Sequence, residues 1–274
     1  MTALPAFTIE DDISDQIINQ VIDADTYIST LDDKSPNPKL NALLSKLVEL
    51  VSPTYTHPFV QNILSNLSVK PRLTSLRQNL GHCEYALEKF WNKKILTENL
   101  AYTDYPYIQN YYALVGAEGD TLEQFTTMTD QNVVFIGSGP MPLSAFELKN
   151  KYPAITLSCI EMMADAIQMS SAMCAHSQIE MAHIHAHAET ADFSQADIVF
   201  IASMTISKFN VLKRIKETAQ DGTIIGVRTV EELRNVLYEP VQASDIPDGY
   251  TYLGKTEYDP SHVNTTLFYC LNKN

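Results

Sequence analysis

Val133-Val134-Phe135-Ile136-Gly137-Ser138-Gly139-Pro140-Met141-Pro142-Leu143 is the stretch on which the fold of this chain turns. Four apolar residues, β-branched or aromatic, predict a strand buried on both faces, as in a parallel sheet. Gly137 and Gly139 then turn the chain. Pro140 and Pro142 suit the first turn of a helix, where a missing N–H costs no hydrogen bond. A glycine turn between strand and helix lets a ligand approach the backbone and face the helix N-terminus. The pattern points to a nucleotide or nucleoside, although glycine at such a turn also serves packing alone.

Downstream, strand and helix alternate. Further strands are expected at 155–160, 181–185, 198–202 and 223–227, with a helix at 164–174 and two more extended runs at 250–258 and 265–271. Five strand–helix units followed by an antiparallel pair predict a doubly wound, Rossmann-like α/β sheet of the methyltransferase type. Upstream, no strand pattern appears before residue 130. Ile13, Ile17, Ile18, Val21 and Ile22 recur at helical spacing within an acidic segment, and Leu40, Leu43, Leu44, Leu47, Val48 and Val51 form a second stripe. Further helices are expected over 58–67 and 72–96. The chain therefore reads as a helical N-terminal domain, 1–130, and a Rossmann-like domain, 131–274.

The 274 residues are 45% hydrophobic and 19% charged, enough for an ordinary core, and the net charge is −14. That balance argues against a nucleic-acid partner or an anionic membrane surface. No apolar run reaches membrane-spanning length, and Met1-Thr2-Ala3-Leu4-Pro5 carries neither basic nor apolar leader character, so a cytoplasmic location is expected. Cys83, Cys159, Cys174 and Cys270 are scattered and read as reduced thiols. No heptad or exposed edge pattern fixes the oligomeric state, which leaves a homodimer open.

Three groups carry possible chemistry. Glu84 and Glu88 lie one helical turn apart among Tyr85, Leu87, Phe90 and Trp91, where a carboxylate can act as a base or simply pair with a neighbour. Glu161 ends the second strand, 24 residues beyond Gly137, where an acid either accepts hydrogen bonds from both hydroxyls of an unphosphorylated ribose or simply serves as a helix-start carboxylate; the glycine turn upstream favours the ribose. His183, His185 and His187 alternate and would share one strand face, with His176 nearby. No carboxylate or thiolate completes a metal shell there, so a ligand border at the sheet's carboxyl edge is the preferred reading.

Six ordered segments resemble the nicotianamine synthase family and its bacterial opine-metallophore relatives. Leu40-Asn41-Ala42-Leu43-Leu44-Ser45-Lys46-Leu47-Val48 resembles the family's N-x-L-F-x-x-L-V helix. Gly81-His82-Cys83-Glu84-Tyr85-Ala86-Leu87-Glu88 resembles G-x-x-E-x-x-L-E, and Pro106-Tyr107-Ile108-Gln109-Asn110-Tyr111 resembles P-Y-Y-x-N-Y. The run 135–144 nearly reproduces F-I-G-S-G-P-x-P-L-T, a far more specific signature than G-x-G. Arg228-Thr229 with Leu233-Arg234 and Leu237-Tyr238, and then Val263-Asn264-Thr265, complete the set.

The resemblance implies a helical domain joined to a Rossmann-like one. It also implies transfer of the 3-amino-3-carboxypropyl (aminobutanoyl) arm of S-adenosylmethionine to an amine, with release of 5′-methylthioadenosine. Carried over by position, Glu84 is the base and Tyr107 a substrate partner. Gly137, Ser138, Gly139, Pro140, Glu161, Met162, His187 and Ala188 border the adenosyl co-substrate. Glu88, Asn110, Arg228 and Asn264 face the substrate; Arg228 is either a carboxylate clamp or a strand-end ion pair. The implied acceptor is histidine, glutamate or a growing aminobutanoyl chain, the product is a metal chelator, and no enzyme-bound metal is implied. Three departures stand out. Plant relatives carry D-I-D where this chain has Glu161-Met162-Met163, their Asp after the third strand falls near His187, and Tyr-Tyr has become Tyr107-Ile108. Two rival readings are an N-methyltransferase on the same fold and a non-catalytic metal-binding protein using His176, His183, His185 and His187.

Overall fold

A computed structural model describes residues 9–259 and 261–273. Its contacts divide the chain into two compact units. One runs up to Ala86 and takes in Glu231–Glu239; the other comprises Leu87–Val230 and Pro240–Asn274. Among the described residues no helix is long and apolar enough to cross a membrane.

The first unit is helical: α1 (Ile9–Ser29), α2 (Pro38–Val51), α3 (His57–Ser65) and the start of α4 (Leu73–Glu98). On α1 the buried positions are Ile17, Val21, Ala24 and Ile28, spaced four, three and four residues apart, which places them on one face. The start of α2 is fixed locally. Asn37 Oδ1 accepts from the Leu40 amide at 3.0 Å, and Pro38 occupies the first turn. The helix expected over 58–67 stops at Ser65, and Leu67 is left exposed. The return segment at 231–239 belongs here because Leu233, Val236 and Leu237 are buried against this unit, while Arg234 donates to the Ser52 carbonyl at 3.2 Å.

The second unit holds a seven-stranded sheet. Its elements are α5 (Ile108–Leu122), β1 (Asn132–Ile136), α6 (Leu143–Lys151), β2 (Thr156–Glu161), α7 (Ala164–Ser177), β3 (Ala182–His185), β4 (Ile198–Ile201), α8 (Lys208–Thr218), β5 (Ile224–Thr229), β6 (Tyr250–Lys255) and β7 (Thr265–Leu271). The strand order is β3-β2-β1-β4-β5-β7-β6. β1 to β5 are parallel, and β7 runs antiparallel between β5 and β6. Side chains alternate between two cores, as a doubly covered sheet requires. Phe135, Cys159 and Phe200 join one cluster with Val115 and Leu148, whereas Ile136, Ile160, Val199 and Ile201 join another with Val211 and Ile215.

Two expectations differ from what is observed. Helical sequence over 1–130 divides within α4, because Ile95, Tyr105 and Ile108 cluster with Met141, Leu143, Phe146 and Met173 of the sheet-bearing unit. Pro140 and Pro142 precede the helix instead of occupying its first turn. α6 starts at Leu143, and Pro142 has ψ 50°, outside the helical region.

Candidate active site

The strand order reverses between β1 and β4, and the crevice at the carboxyl ends of the strands there is where doubly wound sheets take ligands. The Gly137–Gly139 turn lies at that edge. Gly137 has φ +79° and Gly139 φ +65°, both in the left-handed region that glycine enters without penalty. Space also demands glycine. A Cβ on Gly137 would stand 3.0 Å from Thr205 Oγ1, and one on Gly139 only 2.5 Å from Glu88 Oε2.

Glu161, at the end of β2, is buried and closes the turn. Its Oε2 accepts from the Gly139 amide at 3.0 Å and its Oε1 from the Met163 amide at 2.9 Å. Each carboxylate oxygen has a second lone-pair site. The group is thus oriented by two amides and still able to accept from ribose hydroxyls.

The other side of Gly139 is made by α4. Glu88 is 8% exposed, and its carboxylate occupies the space a side chain at 139 would fill. One turn on, the Asn92 amide donates to the Pro140 carbonyl at 2.8 Å and to the Met169 carbonyl at 3.0 Å. Lys89 pairs with Asp165 of α7 at 2.9 Å. These contacts set the helix against the turn and against α7; the sequence offered Lys89 and Asn92 only as pairing neighbours of Glu88. Its i, i+4 spacing to Asn92 was the available signal.

The remaining expected residues take varied places. Ser138 is buried in the turn beside Cys159, whose thiol burial pushes up to about 12. Met162 is exposed, and its carbonyl lies 3.0 Å from the His185 ring. β3 ends at His185, so the expected common strand face does not extend to His187, which is exposed and precedes the short turn Ala188–Thr190 with Ala188 half-buried. Asn264 accepts from the Ser203 hydroxyl at 2.6 Å, which ties the start of β7 to the loop after β4. Tyr107 is 40% exposed at the N-terminus of α5, edge-on to Tyr105 at 5.6 Å, and Asn110 is exposed one turn later.

The histidines do not converge. His176 bonds the Leu100 carbonyl, His183 the Ser170 hydroxyl, and His185 the Met162 carbonyl. Among the described residues no group of three or more His, Cys, Asp or Glu is arranged to hold a metal.

Of the two readings open for Arg228, the structure has the ion pair; the carboxylate-clamp reading is corrected. Its Nε and Nη2 donate to the two oxygens of Glu118 at 2.8 and 2.9 Å, and Nη1 donates to Ser144 Oγ at 2.8 Å. Thr266 adds a third bond to Glu118 at 2.6 Å. Both charged groups are buried, so the guanidinium fork is already filled by protein and secures α5, α6, β5 and β7 to one another.

Within the first unit, Glu84 is half-buried, and its Oε2 accepts from the Tyr238 hydroxyl at 2.7 Å. A tyrosine donor orients the carboxylate that the sequence proposes as base.

Comparison with known proteins follows the same lines. The family model described as nicotianamine synthase protein matches residues 9–272. Nicotianamine synthase 1 of Arabidopsis thaliana is 27% identical over 261 residues, covering 89% of this chain and 80% of that protein. Among solved structures, a mutant of MtNAS in complex with S-adenosylmethionine superposes with a TM-score of 0.78 at 19% identity, over 93% of this chain and 98% of that one. MtNAS in complex with MTA and tNA gives 0.76 at 20% identity, over 97% and 99%.

Proposed function

The chain belongs to the nicotianamine synthase family, and from that premise we propose that it transfers the aminobutanoyl arm of S-adenosylmethionine to an amine acceptor. The donor is a co-substrate and not a resident group. The acceptor's amine lone pair attacks the arm's γ carbon, the carbon–sulfur bond breaks, and its electron pair stays on sulfur. A neutral thioether, 5′-methylthioadenosine, leaves without acid help. The demand on the protein is an unprotonated amine held in line with the γ carbon. Glu84, oriented by Tyr238, takes the amine's proton. Gly137–Gly139 and Glu161 hold the adenosyl part, Met162, His187 and Ala188 border its base, and Tyr107, Asn110 and Asn264 serve the acceptor.

One observation carries the adenosyl assignment. Glu161 is fixed by the Gly139 and Met163 amides at the reversal point of a doubly wound sheet, with acceptor sites to spare. The acceptor is histidine, glutamate or an aminobutanoyl chain, and the product is a metal-chelating metallophore of the opine type made in the cytoplasm. The test is incubation of the purified chain with S-adenosylmethionine and one candidate acceptor at a time, with chromatographic identification of the nucleoside. Methylthioadenosine formed only with an acceptor supports the reading. S-adenosylhomocysteine would replace it with methyl transfer.

A further inference from the structure

Glu232 combines two local costs. Its φ is +53°, in the left-handed region that a residue with a Cβ enters only at a penalty. Its Oε2 is buried, and among the described residues no donor is bonded to it. A carboxylate oxygen taken out of water without a donor is costly, so native proteins keep few of them and each calls for a reason. Three residues on, Asn235 Oδ1 is also buried and without a donor among the described residues. Both belong to the short 3₁₀ helix Glu232–Val236, which is otherwise firmly placed: Leu233 and Val236 are buried, and Arg77 donates to the Asn235 carbonyl at 2.9 Å. Strain and orphaned acceptors held in place by well-packed neighbours are marks of a ligand-binding position. Glu232 follows three residues after Thr229, which ends β5, and the segment it opens delivers Tyr238 to Glu84 within the same unit. The family resemblance carries no role over to it.

Resting on the reading above, we propose that Glu232 selects the acceptor by receiving a second nitrogen group on it, an imidazole N–H or an ammonium, apart from the amine that attacks. An ionised carboxylate only accepts hydrogen bonds, so its partner must donate. The attacking amine is ruled out, because an acid set against it would favour the protonated form, which has no lone pair. A side-chain carboxylate on the acceptor would be repelled. Histidine carries the required group in its ring, and an aminobutanoyl chain carries it in its internal amine; glutamate has none. Asn235 Oδ1 offers a second acceptor on the same short helix.

The experiment measures methylthioadenosine formation with histidine, with N-(3-amino-3-carboxypropyl)glycine as the shortest chain, and with glutamate. It compares the native chain, Glu232→Gln and Glu232→Gly. The native chain should show kcat/KM about tenfold or more higher for one of the two nitrogen-bearing acceptors than for glutamate, as expected for a hydrogen bond to a charged group. Which of the two it is identifies the source of the nitrogen group. Both variants should lose most of that preference through the acceptor's KM, while the KM of S-adenosylmethionine stays as it was. Glu232→Gly should also unfold at a temperature no lower than the native chain, since glycine accepts φ +53° and the buried oxygen is gone. A lower unfolding temperature, or an equal loss of rate with all three acceptors, would make Glu232 a structural support and overturn the proposal. A native chain that prefers glutamate, or is indifferent, would overturn it while aminobutanoyl transfer stands. A native chain that forms no methylthioadenosine with any acceptor would overturn both.

Discussion

The Arg228–Glu118 pair makes a quantitative prediction. Glu118 is fully buried and accepts three bonds, two from Arg228 and one from Thr266. Glu118→Leu removes the acceptor and leaves a guanidinium in a low-dielectric core with the Ser144 hydroxyl as a remaining neutral acceptor and the Phe135 ring beside it. Removing one member of a buried pair costs about 3–5 kcal/mol, a large share of the roughly 5–15 kcal/mol that holds a typical protein together. With a urea dependence of about 3 kcal/mol per M, the unfolding midpoint followed by circular dichroism should fall by roughly 1–1.7 M. Adding Arg228→Met removes the orphaned charge, and the methionine side chain can pack over the Phe135 ring that Arg228 now covers at 5.1 Å. What remains are the Ser144 and Thr266 hydroxyls, each costing about 1–3 kcal/mol if left without a partner. The double variant should therefore be more stable than Glu118→Leu alone. If instead it loses the sum of the two single changes, the pair is not coupled and the reading of Arg228 as a structural residue fails.

Other changes probe the site. Glu84→Gln should abolish transfer while S-adenosylmethionine binding, read by calorimetry, persists. Tyr238→Phe removes a hydrogen bond to a charged group, so kcat should fall about tenfold or more, and an unchanged kcat would rule out the orienting role. Gly139→Ala forces a side chain into φ +65° and against Glu88. It should cost about 1–2 kcal/mol from the backbone alone, and a Glu88→Ala background should relieve the remainder. Burial lowers the pKa of His183 below its ordinary 6.5. The unfolded chain then binds the extra proton first, so stability present above pH 6.5 is lost as pH falls through that value toward the folded pKa. Midpoints at pH 5 and pH 7.5 should differ less in His183→Asn than in the native chain.

What was legible in the sequence was local. Strand, glycine turn and strand-end acid occupy 29 consecutive positions, Val133 to Glu161, and each carries its own periodicity or turn chemistry, so β1, β2 and Glu161 were readable. Partnerships across the fold were not. Arg228 lies 110 residues from Glu118 and Tyr238 154 from Glu84, and an arginine at a strand end looks alike whether it faces a substrate or a buried acid. The division inside α4 was invisible because one unbroken helical period runs through Ala86 and Leu87, while the packing partners that separate its halves lie elsewhere in the chain. His187 was misplaced for a simpler reason: alternation reveals a shared face only as far as the strand extends, and β3 stops two residues short.

The central claim is which carbon of S-adenosylmethionine is transferred. The most direct measurement uses two donors, one carrying carbon-13 in the sulfonium methyl and one in the γ carbon of the arm, each followed by NMR with the accepting amine. Aminobutanoyl transfer requires the methyl label to stay with the released nucleoside and the γ-carbon label to appear bonded to the acceptor's nitrogen. Methyl label on the acceptor, with the γ carbon retained in S-adenosylhomocysteine, would contradict it.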